Sequence, residues 1–126
     1  MPKLKTKRQQ PERALHKLVA DYLDLALTPA SFWFPIPNGA KLSKITGAML
    51  KRTKQIKAGV PDICIVNDGR ACFLELKSKR GTATENQFDT AYALAGAGAV
   101  VAMCKSLDQV KSALKAWGVT LKVVRL

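Results

Sequence analysis

The chain has 126 residues, enough for one domain around a single hydrophobic core, and its 48% apolar content excludes wholesale disorder. No apolar stretch is long and uninterrupted enough to cross a bilayer, and the polar, basic first ten residues lack the apolar core of a secretory signal. Lys and Arg number 21 against nine Asp and Glu, a net charge of +12 that biases so small a domain toward a polyanion. Cys64, Cys72 and Cys104 form no C-x-x-C pair and sit in apolar runs, the pattern of reduced core thiols in a cytoplasmic protein without structural zinc.

Residues 1–10 read as a flexible basic arm and residues 11–126 as a single domain. Pro11 opens a helix where the missing N–H costs nothing, and Leu15, Leu18, Val19, Tyr22, Leu23 and Ala26 carry it at helical spacing to about Leu27. Glu12 falls on the core-facing stripe of that helix, where a carboxylate needs a partner unless it serves only the helix dipole. Residues 32–36, with Pro35 among aromatics, suit an edge strand. Asn38 follows, either as a turn former or as a phosphate contact.

Ser43 caps a helix that runs to about residues 54–57. Residues 62–77 form a hairpin about Asn67-Asp68-Gly69-Arg70, because Asp-Gly is a favoured two-residue turn. Thr84 and Gln87 make a capping box that opens a helix toward Gly98. A buried strand at 99–103, a helix from Ser106 to Trp117 and a last strand at 119–124 complete an α/β pattern, a mixed sheet flanked by helices. The crossover from the Glu75 strand to residues 99–103 should make those two strands parallel.

The hairpin carries the chemistry. If Asn67 pairs with Arg70, Asp62 falls opposite Glu75, and Lys77 shares the face of Glu75, since side chains alternate along a strand. Two carboxylates and an amine then converge. Hard cations such as Mg²⁺ are satisfied by a few carboxylates plus water, and such an ion supplies much of what phosphodiester hydrolysis requires. A lysine beside it orients water or offsets developing negative charge. Glu-x-Lys on its own is also the ordinary pattern of an exposed strand. Here, however, Ile63, Cys64, Ile65, Val66, Phe73, Leu74 and Leu76 make both strands read as buried on both faces, where an acid pair is costly without a cation. The basic stretch that includes Lys51, Arg52, Lys54 and Lys57, together with Lys79 and Arg80, is either a set of phosphate contacts or a solvated face.

Asn38-Gly39 after the aromatic segment, the basic stretch, Gly59-Val60-Pro61-Asp62, Glu75-Leu76-Lys77 and Gln87 together resemble the VRR-NUC domain of the PD-(D/E)XK nuclease superfamily, from about Glu12 to Cys104. The resemblance implies a restriction-endonuclease-like αβββαβ core and dependence on Mg²⁺ or Mn²⁺. Asp62 and Glu75 match the metal ligands, with the Leu76 carbonyl as backbone ligand and Glu12 as the acid of the first helix. Lys77 matches the catalytic lysine and Gln87 the glutamine that follows it. Similar stand-alone members, many from phages and bacteria, are regarded as homodimeric enzymes that resemble Holliday-junction resolvases. The expectation is therefore a DNA endonuclease acting on junctions or other branched DNA, with no membrane partner. The alternatives are a non-catalytic nucleic-acid-binding module on the same scaffold, or a sequence-specific restriction-type nuclease, for whose base-reading elements so short a chain leaves little room.

Overall fold

The computed structural model of the chain describes residues 9–37 and 43–125. Four helices and four strands alternate: α1 (Gln9–Ala26), β1 (Ser31–Pro35), α2 (Lys44–Arg52), β2 (Ile63–Asn67), β3 (Arg70–Leu76), α3 (Glu85–Gly96), β4 (Val100–Cys104) and α4 (Leu107–Ala116). Without α2 and α4 the order is αβββαβ, and the strands lie side by side in chain order.

The hairpin sets the register of the sheet. Asp68 and Gly69 both have positive φ, 50° and 76°, as a tight turn matched to strand twist requires. Asn67 then pairs with Arg70 and Ile63 with Leu74, as expected. β1 runs antiparallel to β2 at one edge, and β4 runs parallel to β3 at the other, with Leu76 beside Cys104.

Pairing and alternation assign Ile63, Ile65, Cys72, Leu74, Leu76 and Cys104 to one face. They join Val19, Tyr22, Leu23 and Ala26 of α1 and Val110 and Leu114 of α4 in the core. Trp33 packs against the same cluster, and its indole N–H donates to Asp24 of α1 over 2.8 Å. The other face carries Phe32, Phe34, Val66, Glu75 and Met103. α3 covers its β3–β4 half, while Phe32, Phe34 and Val66 are exposed.

Several expectations are corrected. The first helix begins at Gln9, two residues inside the expected arm, and residues 1–8 lie outside the described residues. α2 stops at Arg52, sooner than the sequence suggested. The hairpin is not buried on both faces throughout, since Val66 is exposed, and β4 is largely half-buried. Residues 119–124 form no strand. Leu121 makes one isolated bridge to Leu27, and the Lys122 N–H donates to the Ala26 carbonyl. Val119, Leu121 and Val124 pack on the core, so their apolar pattern reports burial without a ladder.

Candidate active site

Asp62 sits one residue before β2 but is already held like a strand residue: its N–H donates to the Leu74 carbonyl, and its carbonyl accepts from Ile36. The side chain turns toward β3, where Oδ2 accepts the Leu76 N–H at 2.7 Å. Gly59 makes this approach possible. Its φ is +80°, and a Cβ there would lie 2.4 Å from the Asn86 carbonyl oxygen of α3. Only glycine lets the loop press against the start of α3 so closely. The same contact brings the first turn of α3 beside the two acids.

Gln87 is held in that turn by a complete capping box. Its backbone N–H donates to Thr84 Oγ1, and its Oε1 accepts the Thr84 N–H at 2.9 Å. With the oxygen engaged, the amide nitrogen is left to donate to Glu75 Oε1 at 2.9 Å. Lys77 Nζ lies 3.8 Å from that oxygen, with its side chain mostly buried.

Glu75 is 6% exposed, and its second oxygen, Oε2, is buried with no hydrogen-bond partner among the described residues. Its pKa is pushed from an ordinary 4.5 up to about 8. Burial contributes most and the Asp62 charge next, Lys77 opposes them, and the more distant Glu12 adds a smaller push upward. Beside Glu75, beneath α3, lies a cavity of about 260 Å³ that it and Gln87 line together with Pro61, Phe88, Val101 and Met103. A paired acid with an orphaned oxygen is a site that a proton or a cation must neutralise. The donor set, carboxylate oxygens beside backbone, suits a hard divalent ion.

Glu12 lies at the margin. Its Oε1 accepts the Ser78 N–H at 3.4 Å and packs beside Gly81, where an added Cβ would come within 3.3 Å of both Glu12 Oε1 and Lys77 Cβ. Among the described residues no three of His, Cys, Asp and Glu are gathered as a metal cluster, so Asp62 and Glu75 form the close pair. The three cysteines are free and buried, and burial raises each thiol, Cys104 to about 11. None is placed as a nucleophile.

Of the expected phosphate contacts, Lys51, Arg52, Lys54, Lys57, Lys79 and Arg80 are all exposed, and Asn38 lies outside the described residues. Sequence reasoning missed Lys105. Because β4 runs parallel to β3, its end meets the end of the Glu75 strand: the Lys77 N–H donates to Cys104, and Lys105 Nζ donates to the Lys79 carbonyl. The expected parallel pairing was the signal, since the ends of parallel strands carry sites. No described helix is long and apolar enough to cross a membrane.

No family profile and no curated protein matches the sequence. Solved structures do match. One, described as "VRR_NUC domain protein", aligns with a TM-score of 0.69 at 22% identity over 90% of each chain. Another, described as "VRR_NUC domain", aligns with a TM-score of 0.53 at 14% identity over 90% of this chain and 99% of its own. At such identities the likeness is one of architecture, and it agrees with the αβββαβ order and with a mixed sheet flanked by helices. The chain has the fold of the VRR-NUC domain.

Proposed function

We propose that the chain is a divalent-metal-dependent DNA endonuclease of the VRR-NUC type, acting on junctions or other branched DNA. The observation that carries this reading is Glu75, a buried acid facing Asp62 with one oxygen unpartnered and a lysine on its own strand face. Asp62 and Glu75 would hold Mg²⁺ or Mn²⁺ together with the Leu76 carbonyl, with Glu12 at the edge. Such an ion would neutralise the scissile phosphate and make water more acidic.

The chain's own groups do the rest. Gln87 fixes the rotamer of Glu75 by donating to Oε1, and the capping box fixes Gln87 in turn. The Lys77 amine is mostly enclosed and only loosely paired, so it retains N–H donors for water or a phosphate oxygen. The Leu76 N–H orients Asp62. Lys79, Arg80 and Lys105 beside this centre, and the basic end of α2, would bind backbone phosphates without reading bases.

A second copy would suit a two-fold junction. The exposed strip of Phe32, Phe34 and Val66 on the half of the sheet that α3 leaves bare is the surface we assign to it. Three free buried thiols accord with a reducing, cytoplasmic setting. The test is cleavage of junction, flap and duplex DNA in Mg²⁺, Mn²⁺ and EDTA, with Asp62→Asn and Lys77→Ala alongside the parent. Each variant should lose about a hundredfold or more of the rate while keeping most DNA affinity. Equal cutting by both variants in Mg²⁺ would reject the assignment.

A further inference from the structure

We propose that α2 is a wedge that reads the branch point: Ile45 and Met49, carried on a basic helix, insert between unstacked bases while flanking cations hold the phosphates. The inference rests on the DNA-directed reading above and adds a residue-level basis for preferring branched over duplex DNA.

α2 presents one side to the body of the protein, with Gly47 buried and Leu50 half-buried. At 100° per residue, Ile45, Met49 and Arg52 fall together on the opposite side. Ile45 is 85% exposed and Met49 46%. Two apolar side chains one turn apart, with nothing described covering them, form a projecting ridge. Around it stand Lys44 and Lys51 on one flank, with Lys54 and Lys57 beyond the helix end, all exposed. No acidic residue interrupts the segment from Lys44 to Lys57.

The end of α2 adds an independent observation. The Gln55 N–H donates to the Leu50 carbonyl and the Lys54 N–H to the Lys51 carbonyl, the pattern of a Schellman cap, with Lys54 at φ +61°. Glycine normally fills that position, because a Cβ there crowds the neighbouring backbone. A lysine held in this conformation at the end of an already basic helix is consistent with a charge wanted at that place.

Charge decides the occupant. A second copy would bring another basic α2 and a further +12 against this ridge, whereas DNA complements it. Apolar wedges of Ile and Met are a known means of unstacking base steps, and the cost is least where stacking is already broken, as at a branch.

The experiment uses the full chain in EDTA, so that binding is separated from cleavage. Junction and matched duplex DNA carry 2-aminopurine at the branch point or at the equivalent duplex position. The parent should raise fluorescence at the branch and not in the duplex. Ile45→Ser combined with Met49→Ser should abolish that rise and weaken junction binding about tenfold, leaving duplex binding within about twofold. The conservative pair Ile45→Val and Met49→Leu should retain the signal, which separates loss of the ridge from damage to the helix. Three outcomes overturn the wedge: an unchanged signal in the serine variant, parallel losses on junction and duplex, or a fall in solution mass showing that the ridge joins two copies. If the parent fails to cut DNA in Mg²⁺ yet shows the branch signal, the nuclease reading fails and the wedge stands.

Discussion

Asp62 and Glu75 carry opposite consequences for stability and for function. In the metal-free protein burial and the Asp62 charge disfavour a charged Glu75, and Lys77 offsets only part of that penalty. Glu75 has a folded pKa of about 8 against an ordinary 4.5. The stability it contributes is therefore fully present below about 4.5 and is lost as pH rises through about 8. Asp62→Asn replaces one charge with an amide that can still accept from Leu76 and can donate to Glu75. Urea denaturation in EDTA should find this variant more stable than the parent by on the order of 1 kcal/mol at pH 8.5, with a smaller difference at pH 5. A variant less stable than the parent at both pH values would mean that the pair is a structural contact rather than a strained binding site. The turn at Asp68-Gly69 made this juxtaposition legible in the sequence. The role of Gly59 was not legible, because the Asn86 carbonyl that excludes a side chain there lies far away in sequence.

At the level of elements, α3 joins a local signal to a distant one. Its capping box is written within four consecutive residues, 84–87, and was readable there. That the spare amide of the same glutamine reaches Glu75 follows only once the loop at Gly59 presses on α3. Gln87→Glu separates the two roles. A glutamate preserves the capping box, so helix stability should change by less than about 0.5 kcal/mol. It also sets a third acid against Glu75, so cleavage at saturating DNA should fall at least about tenfold. Thermal melts together with kcat would show this, and an unaltered kcat would reduce Gln87 to a cap. The strand expected at residues 119–124, which does not form, illustrates the opposite case. β-branched residues in alternation resemble a strand, but the chain crosses the end of α1 there and fills the core edge with side chains while forming a single bridge.

At the scale of the whole molecule, helices α1 and α4 close one sheet face with a continuous core, leaving the other face to α3 and the site. The hydrophobic pattern allowed the mixed sheet to be read in advance. It did not show which half of the second face stays open, since that depends on how far α3 reaches across β4. The excess of basic residues is likewise visible in composition, but the meeting of Lys105 with Lys79 beyond the ends of β4 and β3 arises from folding. If Lys51, Arg52, Lys54, Lys57, Lys79 and Arg80 each meet a phosphate, the logarithm of DNA affinity should fall against the logarithm of salt with a slope of about −5. Replacing any one of them by alanine should lower that slope by about 1. A slope near zero would remove the polyanion from the account.

The proposed catalysis depends on Asp62 and Glu75 receiving a cation together. Calorimetric titration of the metal-free protein with Mn²⁺ at pH 7, repeated in two buffers of different ionisation enthalpy, tests that directly. Binding with net proton release is expected, because Glu75 keeps its proton until a cation displaces it, and both the heat and the release should vanish in Asp62→Asn. No saturable heat in the parent, or an unchanged isotherm in the variant, would contradict the account.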